Sequence, residues 1–241
     1  SLEIGVYERK TTAYHESGHA VVSLIVEHSD PVDKVTIIPR GLSLGATHFL
    51  PEKNRLSYWR KEVLDQLAVL MGGRAAEEIF LGDVSSGAQM DFAQATRLAR
   101  SMVCEWGMSD NLGKVAYDEK YDNGGGYAGL PYHEKSYSEE TARVIDVEVR
   151  KLLDAAHQRA HEIIEEYSEE VELMTQMLVE FETLDAHDVR DIINKEWDPE
   201  KKRKRLKDQD QLFKRQPESP PPPPISELKN ESGRDFGLST T

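Results

Sequence analysis

The chain has 241 residues, 38% hydrophobic and 31% charged, enough length and apolar content for a globular domain with a sizeable core. Its net charge is −14 and unevenly spread: from Pro199 on there are 10 Lys+Arg against 7 Asp+Glu, a net of +3, so residues 1–198 carry −17. An acidic body argues against a nucleic-acid partner, the lone Cys104 excludes an internal disulfide, and the longest apolar run, Ala20 to Val26 with Ser23 inside it, is far short of the ~20 residues of a bilayer span. Cys104 sits in an apolar helix pattern and reads as a reduced structural thiol. No signal peptide is expected within this stretch, and the chain does not begin with Met; it is expected to be a piece of a longer protein, with an anchor or partner domain upstream.

In chain order, a first helix is expected over Val6–Glu27, ended by Ser29-Asp30-Pro31. It carries Tyr14-His15-Glu16-Ser17-Gly18-His19-Ala20. Two histidines four apart lie one turn above each other, so both rings can reach one metal ion, and neutral imidazole suits tetrahedral zinc. Glu16, directly after the first histidine, is placed to take a proton from water attacking a carbonyl. His15, His19, Val22 and Val26 share one stripe, so the pair points into the fold, where two histidines and a carboxylate are costly unless a metal pairs them. Gly18 in mid-helix costs about 1 kcal/mol against alanine, which a close approach of substrate or of another backbone would explain. These features point to a metal-dependent hydrolase.

Val35-Thr36-Ile37-Ile38 is β-branched throughout and reads as a strand that Pro39 either ends or marks as an edge; Thr47-His48-Phe49-Leu50 resumes the extended pattern after Gly41 and Gly45. An open sheet edge close to a hydrolytic metal would let an extended peptide add as a strand, with Val35, Thr36, Ile37, Gly45 and Thr47 as substrate-binding candidates. Helical spacing returns over Leu56–Leu81, with Gly72-Gly73 allowing tight packing. Val84-Ser85-Ser86-Gly87 then supplies caps for a third helix whose stripe includes Phe92, Ala95, Ala99, Met102 and Trp106. Asp91 stands at its head and faces inward, where a carboxylate needs a partner. Residues 118–135, with Asp122-Asn123 leading into Gly124-Gly125-Gly126, read as a flexible loop. Ser138 caps a long amphipathic helix, with further helices over Glu169–Phe181 and His187–Lys195. His157 and His161 repeat the four-residue spacing, but no glutamate follows the first and the second lies on an exposed face, so they are not expected to be ligands. After Trp197, the run Lys201-Lys202-Arg203-Lys204-Arg205 and the five prolines Pro220–Pro224 read as a basic, proline-rich disordered tail.

Zinc needs a third protein ligand. Val22 and Ile25 stand where a metzincin would have glycine and histidine, and residues 33–47 hold no glutamate for the thermolysin-like arrangement. Asp91 is the leading candidate. Glu77 and Glu78 compete, although a carboxylate there could equally hydrogen-bond a ligand histidine.

Glu8-Arg9-Lys10 ahead of Thr12 to Ala20, Val35 to Gly41, Met71 to Ile79, Ser85 to Ala88 with Asp91 and Ala95-Thr96, and Ser138 to Ala142 together resemble the protease domain of the FtsH family, in the same order over residues 7 to about 196. The resemblance implies His15, His19 and Asp91 as zinc ligands, Glu16 as catalytic base and Glu77 as the carboxylate behind a ligand histidine. It implies a membrane-anchored, hexameric, ATP-dependent protease that degrades unfolded or membrane proteins, in a bacterial inner membrane with this domain on the cytoplasmic side, or in an organellar inner membrane. ATP would enter only through an upstream AAA+ module, since no G-x-x-x-x-G-K-[ST] loop occurs here. The expected architecture is mainly α-helical with a small β-sheet or hairpin: a zincin-type metallopeptidase domain over 1–198, comprising a catalytic part (1–110), the loop (118–135) and a C-terminal helical bundle (137–198), then the tail (199–241). The alternative is a non-catalytic zinc-stabilised oligomerisation or adaptor domain. Glu16 speaks against it, because a closed structural site needs no adjacent base.

Overall fold

A computed structural model describes residues 5–51, 56–117, 119–122 and 132–215. The chain forms two compact units, residues 1–197 and 198–241.

The first unit is mainly helical and is built around α1 (Val6–Ile25). Every residue from Thr12 to Ser23 is buried, so the middle of this helix is enclosed all round rather than along one stripe. It packs against α2 (Arg60–Leu81), α5 (Ser168–Phe181) and the strand β1 (Val32–Thr36). Burial on every side leaves its polar groups dependent on protein partners. Thr175 Oγ1 of α5 accordingly donates to Ser17 Oγ at 3.2 Å. Tyr14 stacks on Phe80 and donates its hydroxyl to Glu172, which with its burial pushes the phenol up to about 12.

Gly18 and Gly72 explain how α1 and α2 come so close. A Cβ on Gly18 would lie 2.3 Å from Gly72 O, and one on Gly72 would lie 2.7 Å from Gly18 O. The mid-helix glycine therefore serves a backbone-to-backbone approach, not a substrate.

The sheet is three-stranded and antiparallel, ordered β2 (Ala46–Phe49), β1, β5 (Thr183–Asp185). Val35 faces Thr47 on one side and Leu184 on the other, and Thr36 faces Ala46 and Thr183. β1 is thus the central strand, and it ends before Pro39. This corrects the expectation that Val35, Thr36 and Ile37 offer an edge: both sides of Val35 and Thr36 are paired, Ile37 N donates to Glu182 O, and all three residues are buried. Among the described residues the outer strands of this sheet are β2 and β5, and β2 meets α1 at Thr47 and Glu16. The short β5 strand, missed because three residues show no periodicity, follows Glu182, whose φ of 66° makes the left-handed turn out of α5.

α2 ends at Gly82, also left-handed at φ 64°, the usual way to release a helix C-terminus. A 3-10 turn over Ser86–Ala88 leads into α3 (Gln89–Cys104). β3 (Glu119–Asp122) and β4 (Tyr132–Lys135) pair antiparallel, Glu119 opposite Lys135 and Asp122 opposite Tyr132. Residues 118–135 were expected as a flexible loop, and these strands correct that at both ends; Asn123-Gly124 is also hairpin punctuation. The glycine run lies outside the described residues.

α4 (Glu139–Glu166) starts at Ser138, whose Oγ accepts from Thr141 N at 3.1 Å, and α6 (Ala186–Ile193) follows β5. Cys104 is buried in a second apolar cluster with Ala99, Val103, Leu112, Ile145 and Val149.

In the second unit, α7 (Pro199–Arg215) is helical, which corrects the expectation of disorder from 199. Asp198 Oδ1 accepts from Glu200 N at 3.0 Å, and proline at the first helical position ahead of a run of Lys, Arg and Gln is a proper helix start. Composition had hidden it. The proline run lies outside the described residues.

Candidate metal centre and active site

The site is assembled from α1, the second half of α2 and the first turn of α3. His15 Nε2 and His19 Nε2 are 3.0 Å apart, and Asp91 Oδ2 lies 3.1 Å from the first and 3.2 Å from the second. Among the described residues this is the one group of three His, Cys, Asp or Glu whose ligand atoms converge in this way.

What surrounds the triangle sets its charge state. His19 Nδ1 lies 2.7 Å from Val69 O. A carbonyl can only accept, so Nδ1 carries a proton there and, in the neutral ring, the Nε2 lone pair points to the centre. His15 Nδ1 lies 3.5 Å from Glu77 Oε2. Burial pushes the His15 imidazole down, but the hydrogen bond to Asp91 and the Glu77 carboxylate 3.5 Å away outweigh it and lift its pKa to about 10. Burial likewise opposes, and the histidine contacts overcome it, in holding both carboxylates below their ordinary range.

The pocket therefore calls for positive charge. One proton on His15 could serve a single side of the triangle, whereas a small dication would serve all three atoms together. Tetrahedral zinc, with bonds of about 2.0–2.1 Å, sets its ligand atoms about 3.3 Å apart, close to the observed spacings. The residues fit the metal.

Packing fixes these side chains. A Cβ on Gly73 would fall 2.4 Å from His15 Cε1, so the glycine is the seat of the ring; the Gly72-Gly73 pair thus has two separate duties. Glu77 is 1% exposed, and its Oε1 accepts from Ser85 Oγ. Ser85 Oγ also accepts from Gly87 N at 3.1 Å, and Arg74 Nη2 donates to Ser85 O at 3.1 Å. Ser85 thereby ties the carboxylate behind His15 to the turn that delivers Asp91.

Glu16 is 8% exposed. Its Oε2 accepts from Thr47 Oγ1 at 2.8 Å, across from β2. Gly45 enters the same strand against α1, where a Cβ would meet Thr12 Cγ2 at 2.6 Å, Thr36 O at 2.8 Å and Glu16 Cγ at 3.3 Å.

His15, Glu16, His19, Glu77, Asp91, Gly45 and Thr47 are thus brought to one place. Glu78 is not: its Oε1 lies 2.9 Å from His157 Nε2, so this third-ligand competitor joins α2 to α4. His161 pairs with Glu165 instead. Sequence reading missed Ser85 as a link, Val69 O as the partner that sets a tautomer, and the contact from Thr47 to Glu16. The cap pattern at Ser85 was visible; the others depend on which elements meet.

The family model for peptidase family M41 matches residues 3–192. The chain belongs to this family. It is 66% identical over 242 aligned residues to the ATP-dependent zinc metalloprotease FtsH of Chlamydia trachomatis serovar L2, covering 100% of this chain and 26% of the relative. To the protein of the same name from Protochlamydia amoebophila it is 64% identical, covering 90% and 24%. ATP-dependent zinc metalloprotease FtsH 2 of Methylacidiphilum infernorum is 52% identical, covering 80% and 30%. The chain thus spans about a quarter to a third of the length of these curated relatives.

Proposed function

We propose that this M41 chain is a zinc endopeptidase, the proteolytic part of an ATP-dependent protease. The convergence of His15 Nε2, His19 Nε2 and Asp91 Oδ2 within 3.0–3.2 Å carries the reading, with Glu16 next to the first of them. Zinc held by these three residues would supply Lewis-acid chemistry, polarising a peptide carbonyl and acidifying water. The Glu16 carboxylate takes a proton from the water whose oxygen bonds to the carbonyl carbon, and returns it to the amine nitrogen as the C–N bond breaks. Glu77 orients His15. A buried carboxylate, Glu16, directly beside the convergent side chains favours catalysis over the zinc-stabilised adaptor alternative.

An extended substrate fits the outer edge of β2 by strand addition to its backbone, while the Thr47 side chain is turned to Glu16. Unfolded polypeptides are the substrate class that such an edge accepts. The names of the relatives, ATP-dependent zinc metalloproteases, support an ATPase partner module for the whole protein. Membrane anchoring at a bacterial inner membrane and assembly into a hexamer rest on the family resemblance; no helix among the described residues is long and apolar enough to cross a membrane.

The test is metal analysis with casein digestion by the full chain and by Glu16→Gln. The substitution should keep zinc and lower turnover by about 10²-fold or more. Turnover retained by Glu16→Gln would overturn the reading.

A further inference from the structure

We propose that Thr47 is a positioning residue for Glu16, holding the carboxylate in its working rotamer from the neighbouring sheet. The inference rests on the assignment of Glu16 as base.

Glutamate has three side-chain torsions, and a base that must meet one proton at one place cannot sample them freely. On α1 the backbone fixes only where the Glu16 side chain starts. Thr47 Oγ1 lies 2.8 Å from Glu16 Oε2 and 3.1 Å from Glu16 O, and its single proton favours the nearer, charged oxygen of the carboxylate. A hydroxyl bond to an ionised carboxylate is charge-assisted and stronger than a neutral one. It engages Oε2 alone. Among the described residues Glu16 Oε1 has no hydrogen-bond partner, which leaves that oxygen as the acceptor for the reacting water.

The surrounding architecture exists to bring this hydroxyl in. Thr47 sits opposite Val35, a fully buried residue of the central strand, so its place along the sheet is locked from the side away from the metal. Gly45, just ahead of β2, removes the Cβ that would push the chain off Thr12 and Glu16. Phe49, two residues after Thr47 and on the same face of β2, packs against the main core. A threonine is β-branched and stiff at χ1, which suits a fixed hydroxyl.

A substrate-binding role for Thr47 predicts something different, because contact with bound peptide would appear in KM. The comparison uses the full zinc-loaded chain and a fluorogenic unfolded polypeptide, with Thr47→Val as the near-isosteric variant lacking the hydroxyl and Thr47→Ser as the variant that keeps it. Thr47→Val should lower kcat per bound zinc by about 10- to 100-fold, the cost of loosening a catalytic group, with KM, zinc content and Tm unchanged. Thr47→Ser should recover most of kcat. A rise in KM at constant kcat would make Thr47 a substrate contact and overturn the proposal. So would unchanged kinetics in Thr47→Val, or a loss of zinc or Tm with kcat per bound zinc preserved. Glu16→Gln run alongside separates the two failures: if it is inactive while Thr47→Val is normal, only the clamp is wrong, and if it is active, the base assignment itself falls.

Discussion

Asp91 and Glu77 are both carboxylates beside His15, and their positions give them different work. Asp91 Oδ2 reaches both histidines on the Nε2 atoms that converge, whereas Glu77 meets only His15, on Nδ1. Asp91→Ala should therefore empty the site, while Glu77→Ala should weaken zinc by roughly 10- to 100-fold, as such outer partners do. Competition with a chromophoric chelator measures both; loss of all metal from Glu77→Ala alone would reverse the roles. The histidine pair and the inward face of Asp91 were legible in the sequence because helix periodicity alone places them: four residues return to the same face, and a carboxylate cannot be driven inward alone. Thr47 was legible only as a residue of a nearby strand. What it touches depends on how β2 lies across α1, and the glycine that allows that approach, Gly45, carries no chemistry of its own.

Among the elements, α1 and α2 are locked by the glycine contact. Gly18→Ala gains about 1 kcal/mol in helix propensity, but its methyl would lie 2.3 Å from a backbone carbonyl that cannot rotate away. Overpacking in a filled core costs about 1–3 kcal/mol or more, so the variant should lose stability and, in a chain of this size, several degrees of Tm. An unchanged Tm would mean that the helices separate without penalty. A second lock joins α2, α4 and the end of α1: the buried Asp65 carboxylate accepts from His28 N at 2.9 Å, His28 Nδ1 at 3.1 Å and Arg159 Nη1. Burial alone would raise its pKa, but Arg159 and His28 outweigh it and hold it below the usual range. The folded state thus binds this proton less readily than the unfolded chain, and the stability it contributes is present above the ordinary value of about 3.9 and fades as pH falls through the lower folded value. Asp65→Asn should be less stable than the parent at pH 7, with the gap in Tm closing below about pH 4; a gap independent of pH would exclude the ion pair as its cause. Periodicity placed the long helices, since each has an apolar face to bury. It was blind to β5, too short to show a period, and it passed over β3, β4 and α7 because loop-like and tail-like compositions outvoted a hairpin signal and a helix cap.

At the scale of the whole molecule, the chemistry of cleavage and the mechanics of unfolding call for different equipment. Peptide hydrolysis needs water, a base and a polarised carbonyl, and the site gathers groups for these around α1. The proposed substrate entry at the edge of β2 would need an extended segment of about strand length. A folded protein stable by roughly 5–15 kcal/mol exposes such a segment only rarely, and the core of the first unit, which closes around α1, offers nothing that would pull one out. The chain holds no G-x-x-x-x-G-K-[ST] loop to cradle nucleotide phosphates. Alone, it should cut short peptides and loosely folded chains slowly without ATP, leave tightly folded domains intact, and respond to chelators but not to nucleotide. Incubating it with a flexible peptide and with a stable folded domain, each with and without ATP, tests this directly. ATP-stimulated digestion of the folded domain by this chain alone would show that unfolding and cleavage are not divided between modules, because the energy of hydrolysis would then be captured by residues that carry no phosphate-binding loop.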